Sequence, residues 1–187
     1  MAVHHVRFAT AAALIFAMTG ATAAAPLAGC YERSYDPAHL AKHKGQFVTR
    51  VRLLVKASSF GAGFPPIDGH LEFWVAGHSR SFISHGACEV NDGALDCGGS
   101  LSAAEADECE TRRDGVRDCR EGSGDSGSFR VALQGNGVLV SVTARLEVPE
   151  SNDDAGPPFL YLDPRNAENH DFLLPKAAAA ACSNLDR

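Results

Sequence analysis

Phe129-Arg130-Val131-Ala132-Leu133-Gln134-Gly135-Asn136-Gly137-Val138-Leu139-Val140-Ser141-Val142 is the stretch that decides the fold. Phe129, Val131 and Leu133 recur at every second position, and beyond the glycines the same period resumes with Val138, Val140, Val142, Leu146 and Val148. A period of two places these side chains on one face of a strand and Arg130, Ser141, Thr143, Arg145 and Glu147 on the other. Asn136-Gly137 is the dipeptide favoured in type I′ turns, which need a positive φ at both central residues. A half-buried hairpin with its tip at Asn136-Gly137 is predicted.

The same period extends outward in both directions. From Gln46, Phe47, Val51, Leu53 and Val55 oppose Val48, Arg50, Arg52 and Lys56, a strand with a basic outer face. Leu71, Phe73 and Val75 alternate with His70, Glu72 and Trp74, and further strands are predicted over Ser81 to Val90, Ala94 to Cys97, Phe159 to Leu162 and Asp171 to Leu174. Before the first of these, Asp36-Pro37 has the form of a helix start and Gly45 of a stop, which gives about two helical turns through His43. Lys176 to Cys182 is alanine-rich and helical by propensity. Residues 98–127 lose all periodicity and read as an exposed charged excursion. The predicted class is all-β: a small antiparallel β-sandwich or up-and-down barrel of about eight strands, with a short helix near each end.

Six cysteines fit a disulfide framework in an exported chain. An Asp92-Gly93 turn pairs Asn91 with Ala94 and, three steps on, Cys88 with Cys97, at a non-hydrogen-bonded position whose close Cα separation suits a disulfide. Arg113-Asp114-Gly115 does the same for Cys109 and Cys119, with Gly115 at the left-handed position of a bulge and Arg112 opposite Val116. Cys30 and Cys182 remain, and by elimination they join the two ends.

Met1 to Arg7, an apolar stretch from Phe8 to Met18 and small residues to Ala25 have the three regions of a secretory signal. Ala21-Thr22-Ala23 favours cleavage after Ala23, whereas cleavage after Ala25 would place Pro26 at the scissile bond. The expected organisation is a signal peptide over 1–23 and one β-domain over 24–187. Phe8 to Met18 is too short to span a bilayer, and no other stretch approaches that length. Leu27-Ala28-Gly29-Cys30 also has the form of a lipobox, in which Cys30 would carry lipid and anchor the protein. Against it stand the separation from the apolar stretch and the odd cysteine it would leave. The formal charge of -6, with acids and bases interleaved, argues against nucleic acid or an anionic membrane as partner.

Cys30-Tyr31-Glu32-Arg33-Ser34-Tyr35-Asp36-Pro37-Ala38-His39-Leu40-Ala41-Lys42-His43, with the strand that follows and Cys182 near the other end, resembles the opening of a group of small exported bacterial proteins with no established function. The likeness covers about the first third and the last few residues, and the charged insert departs from it. It implies a bacterial, periplasmic setting and no activity.

Few residues suggest chemistry. His39 and His43, four apart on the predicted helix, have the spacing at which two imidazoles can share a metal ion, with Glu32, Asp36, His70, His78 or His85 as third ligand. The plainer reading is that they edge and cap the helix. Gly124-Asp125-Ser126-Gly127 and the segment at His85 echo chymotrypsin-like serine proteases, but about forty residues cannot build the two barrels such a triad needs. Asp92, Asp96, Asp153 and Asp154 lack calcium-loop spacing. Trp74, on the polar side of its strand, is either a contact point or a covered outer residue. With no nucleophile beside a base, no phosphate loop and no cofactor signature, the expected function is non-enzymatic. That describes an exported binding or structural module of the envelope, meeting another envelope protein or a small ligand. A hydrolase inhibitor fits this size and disulfide density, with the 98–127 excursion as its inserting loop. The alternative is a metal-binding protein or metal-dependent enzyme built on His39 and His43.

Overall fold

Alternation becomes architecture in a computed structural model that describes residues 26–59, 65–100, 110–111, 117–118, 127–150 and 159–185. The strands are β1 (Gly29–Ser34), β2 (Val48–Ala57), β3 (Ile67–Val75), β4 (Ser81–Asn91), β5 (Ala94–Ser100), β6 (Glu110–Thr111), β7 (Arg117–Asp118), β8 (Ser128–Gln134), β9 (Gly137–Ala144), β10 (Leu146–Pro149), β11 (Phe159–Leu162) and β12 (Asp171–Pro175). The helix α1 (Pro37–Lys42) and a 3-10 turn, Ala179–Cys182, lie near the ends.

Eight strands form one antiparallel sheet in the order β1-β2-β3-β4-β5-β8-β9-β12, so each strand lies beside its predecessor in that sheet. The two edges come together: Tyr31 bridges Lys176, and the Ala177 N–H donates to the Cys30 carbonyl at 2.8 Å. Of the two expected architectures the molecule therefore adopts a nearly closed up-and-down barrel. β10 and β11 form a separate ribbon whose Leu146, Val148, Leu160 and Leu162 enter the same core.

Side chains fill the interior. Val51, Leu53, Leu71, Phe73, Leu95, Phe129, Val131, Val140, Phe172 and Leu174 point inward and are buried, each large apolar group contributing roughly 1.5–3 kcal/mol. The Cys88–Cys97 disulfide lies among them, with a Cα separation of 4.1 Å. Its hairpin has the expected register, Asn91 opposite Ala94 through Cys88 opposite Cys97, and Asp92 and Gly93 take the positive φ of a type I′ turn, 50° and 76°. Glycines make room for the sulfurs. A Cβ on Gly69 would lie 3.0 Å from Cys88 Sγ, and one on Gly86 would lie 2.9 Å from the Phe129 ring.

Several expectations need correction. The β8–β9 turn is Gly135-Asn136, one residue before the predicted dipeptide, with Gln134 opposite Gly137. Gly135 supplies the positive φ of 61° at the first central position, as in a type II′ turn. Gly137 is needed elsewhere: it pairs with Pro175 of β12, where a Cβ would collide with the Leu174 carbonyl. Val48 was expected outside beside Arg50, yet it is fully buried, because a register shift between Val48 and Arg50 turns it inward. The strand through Val148 is interrupted at Arg145, and β11 pairs with β10 rather than with the barrel. The alanine-rich run forms only one 3-10 turn. β1, not foreseen as a strand, sends Tyr31 into the core and Cys30 and Glu32 outward.

The excursion also starts later than expected, since β5 continues to Ser100. Within it, β6 and β7 pair Glu110 with Asp118 and Thr111 with Arg117, the register predicted for that hairpin. Cys109, Cys119 and the rest of its loop lie outside the described residues, as does the N-terminal segment read as a signal.

Candidate functional site

Among the described residues, the outer face of β1 to β4 gathers most of the buried polar side chains. Alternation puts Arg50 and Arg52 outward on β2, and His70, Glu72 and Trp74 outward on β3; the register then lines them up in rows across the sheet. One row runs Glu32, Arg52, Glu72, and a second runs Arg50, Trp74, Ser81. A third runs Leu54, His70, His85.

In the first row Arg52 is held between two carboxylates, at 3.3 Å from Glu32 and 3.0 Å from Glu72. Glu72 is 3% exposed and accepts from Arg52, from the Ser81 hydroxyl at 2.8 Å and from the Asn184 amide at 3.1 Å. Three donors compensate the loss of water around a charge that would otherwise be costly to bury. Arg50 completes the set, 2.7 Å from Glu32, and the Arg50 and Arg52 guanidinium groups stand 4.5 and 4.9 Å from the centre of the Trp74 ring. Trp74 is thus half-buried beneath two arginines.

The C-terminal tail closes over this face. Cys182 is bonded to Cys30, Asn184 bridges Arg52 and Glu72, and Leu185 packs with Leu54 and Ile83 in a second apolar cluster outside the barrel. The Cys30 sulfur is engaged in that disulfide, and a thioether to lipid would require the same sulfur.

The predicted histidine pair lies where the sequence placed it. Asp36 caps α1, its carboxylate accepting from the His39 N–H at 2.7 Å. The His39 and His43 rings are stacked, with centroids 4.3 Å apart, so they turn faces rather than lone pairs toward each other. His39 Nε2 meets the Gln46 side chain at 2.9 Å, and His43 Nδ1 lies 3.8 Å from Glu168. Fully buried Asn169 fixes this corner, accepting from the Phe47 and Val48 N–H groups and donating to the Gly45 carbonyl.

The proposed third ligands are placed elsewhere. Glu32 binds arginines, His78 packs edge-on against Phe82, and His70 pairs with His85. Among the described residues no group of three or more His, Cys, Asp or Glu is arranged to hold a metal ion. Ser126 lies outside the described residues.

At the seam between β1 and β12 an open depression of about 420 Å³ is lined by Arg33, Gln134, Asn136, Leu173 and Pro175. Arg33 donates across it to the Leu173 carbonyl at 3.2 Å. No helix among the described residues is long and apolar enough to cross a membrane. No protein-family model, no curated protein and no solved structure matches the chain.

The Glu32–Arg52–Glu72 row and the His70–His85 pair were not foreseen as units. The outward faces of β2 and β3 were each legible, but the connection between them carries no turn of known length, so their mutual register was not.

Proposed function

We propose that this protein is an exported, non-enzymatic binding module of the bacterial envelope that meets a macromolecular partner on the outside of its barrel. The observation that carries this reading is the packed interior: small barrels that hold a ligand keep a lumen for it, and here apolar side chains and a disulfide occupy that space. Two disulfides support an oxidising compartment. The N-terminal signal pattern supports export, and the resemblance supports a periplasmic setting.

In this reading the partner is an envelope hydrolase, and the charged excursion is the segment that engages it. The excursion leaves and re-enters on neighbouring strands, with Gly98 opposite Ser128, so residues 103–125 can be removed without separating the strands that carry them. Recovery from periplasmic extract with and without 103–125 tests the idea. The expected result is one hydrolase, captured by the intact protein only and inhibited at one-to-one stoichiometry when purified. Equal recovery by both forms overturns it.

A further inference from the structure

At the seam the two barrel edges meet through the isolated bridge between Tyr31 and Lys176. The residue before it on β12, Pro175, has no N–H with which to carry the ladder on. Beyond it a side chain takes over: the Arg33 guanidinium donates to the Leu173 carbonyl at 3.2 Å and stands 4.9 Å from the centre of the Tyr35 ring. These two contacts hold a half-buried cation at the rim of the depression. The hollow beside it has a local origin. Across β8, β9 and β12 the outer row runs Gln134, Gly137, Pro175, and Gly137 contributes no side chain between its neighbours.

We infer that this depression binds the carboxyl end of an extended peptide whose last residue is apolar. Arg33 is the one charged group in the lining, in a chain whose formal charge is -6. Among the described residues it forms no ion pair, and its guanidinium gives one of five N–H groups to the Leu173 carbonyl. The remaining donors match a carboxylate, which a guanidinium can hold by two parallel hydrogen bonds. Leu173, 39% exposed, and Pro175 supply an apolar wall for the terminal side chain. The Gln134 and Asn136 amides make no hydrogen bond among the described residues, and each carries both a donor and an acceptor, as the preceding peptide group requires. A volume of about 420 Å³ suits a ligand of a few residues and not a folded domain. Carboxylate capture beside a strand edge is an established mode of peptide recognition. The depression lies at the Gln134 end of β8 and the charged excursion joins at the Ser128 end, so this site and the hydrolase contact stand or fall separately.

The test is a nuclear magnetic resonance titration of the protein, disulfides formed, with N-acetylated tripeptides ending in leucine, valine or phenylalanine. Each is used as the free acid and as the terminal amide, and octanoate stands for a small apolar acid. At least one free acid should saturate with a Kd of about 1 mM or tighter, with amide shifts confined to Arg33, Gln134 to Gly137, Leu173 and their neighbours. The terminal amide should bind about tenfold more weakly, because it loses a charge-assisted hydrogen bond. Arg33→Gln should erase the preference for the acid while leaving the amide form's affinity as it was, which loss of a merely structural residue would not do. Leu173→Ala, at an exposed position, should weaken both forms alike. No saturable binding by any of the three acids, equal binding of acid and amide, or an acid preference that survives in Arg33→Gln overturns the site. Octanoate binding as tightly as the best peptide overturns the peptide as its occupant.

Discussion

The two disulfides seen among the described residues lie on opposite sides of one sheet and do different work. Cys88–Cys97 joins residues 9 apart across a tight hairpin and faces the barrel interior, where it serves as core volume beside Phe129. Cys30–Cys182 joins residues 152 apart and lies outside the barrel, where it holds the tail that covers the Arg52–Glu72 pair. In the chain-entropy model closing the short loop contributes about 2.5 kcal/mol and the long one about 5 kcal/mol. The inner bridge refines a hairpin that its turn residues already specify. The outer one confines the whole chain and shields a buried charge.

The sharpest way to break that contrast is to remove each bridge in turn. Replacing Cys30 and Cys182 by Ala should lower unfolding free energy by about 5 kcal/mol in urea titrations, and the Cys88, Cys97 double variant by about 3 kcal/mol. The opposite order would mean that the sulfurs' core volume outweighs loop entropy. Next, Glu72→Ala leaves Arg52 buried without its main partner and should cost about 3 kcal/mol. Glu72→Gln, which keeps an acceptor for Ser81 and Asn184, should cost less.

Gly137→Ala pushes a methyl into the Leu174 carbonyl and should cost about 2 kcal/mol by displacing β12. At Gly93 an added Cβ meets nothing within 4 Å. Gly93→Ala should therefore cost only the positive-φ penalty, about 1 kcal/mol. The smallest effect is a pH dependence. Burial raises the pKa of Tyr31, whose hydroxyl donates to the Leu27 carbonyl, and also that of Tyr35, where Arg33 partly offsets it. Because the folded values exceed the ordinary 10, these groups contribute stability in full below pH 10 and lose it as pH rises above that. Tyr31→Phe should flatten the decline in melting temperature between pH 9 and pH 11, leaving the Tyr35 share.

Legibility in the sequence followed the range of the interactions. Asp92-Gly93 sets the 88–97 hairpin in full because turn chemistry acts over two residues. Asn136-Gly137 misled by one position, since a long-range contact with β12 claimed Gly137 while Gly135 was free to turn the chain. Val48 failed for a related reason: a single bulge reverses every side chain beyond it, and nothing local announces it. At the candidate site, α1 and its histidines were readable from caps and spacing. The arginine–glutamate row and the His70–His85 pair depend on how β2, β3 and β4 are aligned, information spread over Gln46 to Asn91.

The outer disulfide also sets an order of events. For a chain that emerges amino end first, Cys30 appears before Cys88, Cys97, Cys109 and Cys119, and its partner Cys182 appears after them. Pairing by order of arrival would join Cys30 to Cys88, and the correct set then requires a thiol exchange catalyst or a delay until Cys182 has emerged. Asn184 and Leu185 follow three residues or fewer behind Cys182, so the seal over Arg52 and Glu72 forms only after every strand of the barrel has emerged. A chain cut between Pro175 and Cys182 would carry a finished barrel interior and an unfinished exterior.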